Sequence, residues 1–311
     1  MYSENLYPHI RAAVYGSPWA ILPEKLDEIV GFLDLKASGG VVSAEVVAAL
    51  DAAAKRSTPA VSGNVAVVPV YGTIAQRMDL MHAFSGGTST ERIGAMLDKA
   101  LADDTVGAVV LDVDSPGGSV YGVAELAEKI FNSREARSGK PIIAIANSLM
   151  ASAAFWLGTS ADQVVITPGG EMGSVGVVAM HGDYSKAEEK AGRKTSYVYA
   201  GRYKVEGNPY EPLNDEARAA IQSRVDEYYT MFVDGLARNR GVATKTVRER
   251  FGQGRVVGAA AAVEAKMADR VASFEQLVSD LRGRGKTRSA SRAVSRARDM
   301  ELAKIRRPTM R

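Results

Sequence analysis

From Val65 onward the chain alternates short apolar runs with stretches of helical periodicity, and few folds accept that order. Val65-Ala-Val-Val-Pro-Val70 and Val106-Gly-Ala-Val-Val-Leu-Asp-Val113 are apolar almost without a break, as strands buried on both faces are. Between them, Thr88-Ser-Thr-Glu91 offers a capping box for a helix in which Ile93, Met96, Leu97 and Leu101 recur at helical spacing. The second run ends in Asp114-Ser-Pro-Gly-Gly118, and a helix through Val123, Leu126, Ala127 and Ile130 follows. Further strands are expected at Ile142 to Ala146, Gln163 to Ile166 and Thr195 to Tyr199. Asn214-Asp-Glu starts a long helix with Ile221, Val225, Tyr228, Phe232 and Leu236 on one face, closed by Gly241. Strand, helix, strand, helix at this spacing predicts βαβ units and a largely parallel sheet, an α/β class.

Three regions are expected. Residues 1 to about 51 read as helical and alanine-rich, with an amphipathic pattern over Pro23 to Leu33, and Lys55 to Gly63 reads as a linker. That gives a helical N-terminal segment with linker over 1–60, a folded unit over 61–281 and a basic tail over 282–311. The tail carries 11 Lys or Arg against 2 Asp or Glu, a balance of +9, which leaves −6 for the rest of a chain of net charge +3. Such a tail suits an acidic partner or nucleic acid, and a solvated tail is the competing reading. No apolar stretch reaches the 18 or so residues of a membrane span. Ala12 to Leu22 contains Gly16, Ser17 and Pro18 and lacks a basic leader, so no signal peptide is expected there. The absence of cysteine excludes disulfides, thiol nucleophiles and thiolate metal sites, and fits a reducing cytoplasm. No His/Asp/Glu cluster has ligand spacing and no Walker or dinucleotide fingerprint occurs, so no metal and no cofactor is expected.

The chemistry concentrates in four places. Ser152 sits directly after the apolar run Pro141 to Ile145, where a strand turning into a helix presents residues at the sheet's carboxyl edge. Taken alone it is a packing residue or a cap. Asp114-Ser-Pro-Gly-Gly118 is a strand-to-helix turn, and its glycines also leave backbone N–H groups able to approach a carbonyl. A donor from Gly117 or Gly118, joined by the N–H of Ala153, would form an oxyanion hole. Lys204, 52 residues after Ser152, is by default a solvated charge. As a neutral amine it could take the serine proton, which requires burial or positive neighbours to depress a lysine pKa near ~10.4. Ser174, in Gly173-Ser-Val-Gly176, either satisfies a turn or orients that amine.

This set of motifs resembles the signal peptide peptidase A family of serine–lysine proteases, in the ClpP/crotonase superfamily. The marks occur in order: Ser115-Pro-Gly-Gly118, Ala151-Ser152, Gly173-Ser-Val-Gly-Val177, Gly201-Arg-Tyr-Lys204, and Gly254-Arg-Val-Val-Gly258 with Asp269. The resemblance implies a ClpP/crotonase-like spiral of βαβ units with Ser152 as nucleophile, Lys204 as general base and Ser174 as its orienter. It also implies a homo-oligomer whose sites lie between subunits. Two departures stand out: Ser152-Ala-Ala-Phe155 replaces the family's Ser-Gly-Gly-Tyr, and Lys266-Met-Ala-Asp269 replaces Gly-Leu-Val-Asp. The segment Ala12 to Ile21 is similar to the leader of the phage branch, head-maturation proteases that cleave scaffold and capsid proteins. That branch implies a capsid or scaffold polypeptide as substrate, in the host cytoplasm or the assembling procapsid. Gly72 to Thr90, with Met78, Leu80, Met81 and Phe84, is expected as a flap over the substrate groove or as an oligomer contact.

Rival readings remain open at this level. His181, 29 residues after Ser152 and beside Asp183, could serve as base in a Ser-His-Asp triad. A signal-peptide-peptidase-like protease degrading peptides in the cytoplasm would share every motif. A crotonase-type acyl-CoA enzyme would use the scaffold without a nucleophile, and an inactive assembly protein would use it for contacts only.

Overall fold

A computed structural model of the protein describes residues 14–37, 40, 60–77 and 87–283. The first elements are β1 (Trp19–Ile21), α1 (Pro23–Ala37), β2 (Ala60–Ser62), β3 (Val65–Tyr71), β4 (Ile74–Ala75), β5 (Thr88–Ser89) and α2 (Thr90–Ala102). There follow β6 (Ala108–Ser115), β7 (Gly117–Ser119), α3 (Val123–Asn132), α4 (Glu135–Ser138), β8 (Ile142–Ala151) and α5 (Ala153–Thr159). Next come β9 (Gln163–Ile166), β10 (Glu171–Gly173), α6 (Ser185–Lys190), α7 (Asp215–Arg240) and α8 (Thr244–Arg250). The series closes with β11 (Val256–Gly258), α9 (Ala259–Glu264), β12 (Arg270–Val271) and a last helix from residue 274.

The class is α/β with parallel strands, as the alternation predicts. The larger sheet runs β11-β10-β8-β6-β3-β2, and its β3–β6 and β6–β8 pairs are parallel. The unbroken apolar run of β6 has a direct cause. Val109, Leu111 and Val113 face a core containing Leu97, Leu126, Ile130, Phe155 and Phe232. Ala108 and Val110 face a second core with Ile143, Ile145, Leu277 and Leu281. Each fully buried Leu, Ile or Phe contributes about 1.5–3 kcal/mol by leaving water.

Strand β8 positions the site. Its first half pairs with β9, and its last three residues pair with β10, so the sheet forks along one strand. The fork coincides with a bulge: Val113 pairs with Ala146 but Ser115 with Met150, two steps in β6 against four in β8. Ser148, inside the bulge, has φ of 102°. A smaller sheet, β1-β7-β4-β5, covers the end where β6 and β8 finish.

Three local expectations are corrected. Thr195 to Tyr199 form no strand, and every residue from 191 to 200 is exposed, because a β-prone sequence needs a neighbour to pair with. The cap of α2 is Ser89, whose hydroxyl accepts the Arg92 N–H at 3.1 Å, one residue beyond the expected Thr88. Trp19–Ile21, inside the segment expected to be helical, is a strand: it pairs antiparallel with β7, and Trp19 bridges Val178. The rest of that segment is helical where described, through α1. Met78, Leu80, Met81 and Phe84 of the expected flap and the tail beyond residue 283 lie outside the described residues.

Asp269 of the last family motif has a structural task. It receives the Val164 N–H at 2.7 Å and a two-pronged hydrogen bond from Arg240, tying β9 to α7. Among the described residues no helix is long and apolar enough to cross a membrane.

Candidate active site

Ser152 is the single residue between β8 and α5, and its backbone is held at φ 53°, ψ −118°. A non-glycine residue there carries roughly 1–3 kcal/mol of strain, which persists only when the surroundings enforce it. They do. The Ser152 N–H donates to Gly173 O at 2.7 Å, and its carbonyl accepts the Trp156 N–H at 3.1 Å. One turn on, Trp156 stacks on Phe232 at 5.2 Å and Phe155 meets Phe251 edge-on, so α5 cannot roll. The hydroxyl is buried, and its one recorded polar contact is Gly176 O at 3.5 Å, at the limit of a hydrogen bond.

The two alanines that replace the family's glycines lie inside α5, and the positive φ falls on Ser152 instead. The exchange therefore sacrifices no backbone freedom that this turn uses. As the first helical residue, Ala153 has an N–H with no intrahelical acceptor, and none is recorded for it among the described residues.

Gly117 and Gly118 form the opposite wall. Gly117 has φ of +96°, and a Cβ there would stand 2.3 Å from Ala20 O and 2.9 Å from Ser152 Cβ. A Cβ on Gly118 would stand 1.8 Å from Ile74 O. Neither position accepts a side chain while β1, β4 and Ser152 keep their places. The Gly117 N–H is engaged by Ser115 Oγ at 3.2 Å, and that hydroxyl donates to Gly72 O at 2.6 Å. Strand β1 was missed by sequence reasoning because three apolar residues carry no periodicity. Its partner, Gly117–Ser119, lies about a hundred residues downstream.

Ser174 follows β10 directly, is buried, and also has a positive φ, 53°. Its N–H donates to Arg255 O at 2.8 Å. Because Gly173 pairs with Ala151, both serines flank the same strand junction. Lys204 has no recorded bond to either serine among the described residues. It sits in a turn closed by its N–H to Gly201 O at 3.0 Å. Its side chain is exposed and makes no recorded hydrogen bond or ion pair among the described residues. Arg202 and Tyr203 beside it are tied to Glu216 of α7. One chain thus gathers Ser152, Ala153, Gly117, Gly118 and Ser174, whereas Lys204 is exposed and has no recorded bond to any of them among the described residues.

His181 has no recorded bond to the serine either: its Nε2 lies 3.3 Å from Asn208 O, and Asp183 accepts from Ser185. His181 lines a groove of about 540 Å³ with Val177, Met180, Leu213, Ile221 and Val225, which begins one residue beyond Gly176. Among the described residues no three His, Asp or Glu side chains are grouped to hold a metal ion.

A carboxylate pair flanks the bulge in β8. Asp112, buried, accepts hydrogen bonds from Tyr71 OH and from Asn147 Nδ2, the latter at 3.0 Å. Burial lifts its pKa above the usual carboxylate value of 3.8, and the bonds from Tyr71 and Asn147 oppose without cancelling. Asp114 is raised too, first by burial and then by the charge of Asp112, against a hydrogen bond from the Leu149 N–H. Above pH 3.8 the unfolded chain has lost the Asp112 proton while the folded chain still holds it, so this group's stabilising contribution falls as pH rises through the folded pKa. Urea unfolding at a series of pH values is therefore expected to show the wild type losing stability relative to Asp112→Asn across that window. A difference that stays flat or grows with pH contradicts this assignment.

Residues 134–287 match the family described as peptidase family S49. The chain is 30% identical over 294 residues to capsid assembly protease C of Escherichia phage lambda, covering 88% of this chain and 65% of that protein. It is 33% identical over 219 residues to head-tail preconnector protein GP5 of Enterobacteria phage P21, covering 70% of this chain and 43% of that one. Protease 4 of Haemophilus influenzae is 28% identical over 219 residues, 70% of this chain and 34% of its own length. The chain therefore spans less than two thirds of each of these relatives. The family resemblance carried by the motifs is borne out.

Proposed function

From the kinship with peptidase family S49, we propose that this chain is a serine endopeptidase in which Ser152 is the nucleophile and Lys204 the general base. The observation that carries the reading is the Ser152 turn: a buried hydroxyl on a strained strand-to-helix corner, at a helix N-terminus, against a wall that excludes side chains. The Lys204 amine takes the Ser152 proton, Oγ attacks the scissile carbonyl, and a tetrahedral oxyanion forms. The Ala153 N–H, with a donor from Gly117 or Gly118, receives that oxyanion. Lys204 then protonates the leaving amine and later activates the water that releases the acyl group, and the Ser174 hydroxyl orients the amine. No cofactor enters the cycle.

The exposed position of Lys204 supports a site completed between two copies, as does its lack of a bond to its own Ser152. The parallel β3–β6–β8 core, its fork into β9 and β10 and the small second sheet support the ClpP/crotonase-like spiral. We take 61–281 as the protease unit, with Trp19–Ile21 added to its smaller sheet from the N-terminal segment. The two phage relatives, named a capsid assembly protease and a head-tail preconnector protein, support capsid or scaffold polypeptides as substrates. A fluorophosphonate probe followed by peptide mass spectrometry tests the nucleophile. Adduct on Ser152 is expected, and a proteolytically active preparation labelled only on another serine defeats the proposal.

A further inference from the structure

Strand β8 crosses the fork of the sheet on residues that belong to neither branch. Residues 143–146 pair with β9 and 149–151 with β10, while on the β6 side only 142–146 and Met150 have partners. Asn147 and Ser148 therefore pair with no strand among the described residues, and Leu149 pairs on one side alone. A bulge leaves its extra residues outside the ladder, and a strand that slips by one residue moves about 3.3 Å and turns its side chains over. Ser152 is three residues beyond Leu149, so the register of this bulge decides where the hydroxyl stands.

Side chains of β6 stand in for the missing ladder. Asp112 accepts from Asn147 Nδ2 at 3.0 Å, and the Tyr71 hydroxyl of β3 donates to the same carboxylate. Asp114 accepts the Leu149 N–H, and it lies near enough to Asp112 for that charge to raise its pKa. Three neighbouring strands thus meet in one polar cluster at the end of the sheet that carries the Ser152 turn. Two positions earlier, Val110 fills the same face of β6 with an apolar side chain. A buried carboxyl at position 112 is the costlier choice, so packing alone does not account for it. We propose that Asp112 and Asp114 are positioning residues: they pin the β8 bulge and through it set the register of Ser152. The effect on cleavage rests on the Ser152 reading above; the pinning does not.

Two measurements on the full-length protein test this: hydrogen–deuterium exchange over residues 147–153, and the rate of fluorophosphonate labelling at Ser152. Asp114 is exposed, so Asp114→Ala should keep the wild-type thermal midpoint. It is expected to speed exchange over 147–153 about tenfold and to slow labelling about ten- to a hundredfold, as a misplaced nucleophile does. Asp114→Asn keeps an acceptor for the Leu149 N–H and should restore both values. Asp112→Ala should act in the same direction, whereas Asp112→Asn keeps an oxygen for Asn147 and offers its amide to the Tyr71 hydroxyl, and should stay near wild type. Wild-type exchange in a folded Asp114→Ala protein overturns the pinning. Faster exchange with an unchanged labelling rate overturns the positioning role, as does an Asp114→Asn protein no better than Asp114→Ala. If wild-type Ser152 takes no label, the nucleophile reading fails, and the exchange contrast between Asp114→Ala and Asp114→Asn by itself upholds or overturns the pinning.

Discussion

Ser152→Ala is expected to lower peptide-bond cleavage by at least about 10⁴-fold, because it removes the attacking oxygen of the proposed nucleophile. The loss should be purely chemical. The hydroxyl makes only a 3.5 Å contact to Gly176 O, so removing it should change the unfolding free energy by less than about 1 kcal/mol. The strained turn is held by the backbone bonds to Gly173 O and from Trp156, which alanine retains. Cleavage of a co-expressed capsid or scaffold polypeptide, read beside the thermal midpoint, separates the two effects. Activity within tenfold of wild type, in a folded variant, removes Ser152 from the chemistry. Lost activity with a collapsed midpoint would instead assign Ser152 a packing role.

Lys204→Ala should cost about 10²–10⁴-fold in turnover, the range by which a positioned base accelerates proton transfer at a weak nucleophile. Its side chain is exposed and makes no recorded bond among the described residues, so the thermal midpoint of the variant should match wild type. Arginine should not rescue it, since a guanidinium stays protonated and cannot accept the serine proton. A mixed preparation distinguishes the two possible geometries. Ser152→Ala and Lys204→Ala proteins, each inactive, should regain part of the activity when co-assembled, because some interfaces then pair an intact serine with an intact lysine. No regain would place both residues of a working site on one chain, and full activity of Lys204→Ala alone would exclude it as the base.

Much of the candidate site was legible because its signals are local. A strand that gives way to a helix at Ser152 follows from an apolar run meeting a helix-forming one, and that turn is where the structure puts the serine. Gly117-Gly118 was legible as bare backbone, although the need for glycine there comes from Ala20 O, Ile74 O and Ser152 itself, which the turn motif does not contain. The significance of the alanine-for-glycine exchange was not legible. Only the dihedral angles show that the positive φ belongs to Ser152 and that Ala153 and Ala154 are ordinary helix positions.

What the sequence alone determined was the order of strands and helices in the core and the residue types at its turns. The apolar periodicity of β3, β6, β8 and their helices is imposed by burial on one or both faces, and that leaves a mark at every position. What only the tertiary structure decided was pairing at a distance. Trp19–Ile21 becomes a strand because Gly117–Ser119 offers an edge, and Thr195–Tyr199, of better strand composition, pairs with no strand among the described residues. A strand is half of a contact, so its sequence can declare readiness to pair without naming a partner. The same reason separates Ser152 from Lys204: composition and spacing mark each, but only the three-dimensional chain shows one buried in a wall of backbone and the other held out on an exposed arm.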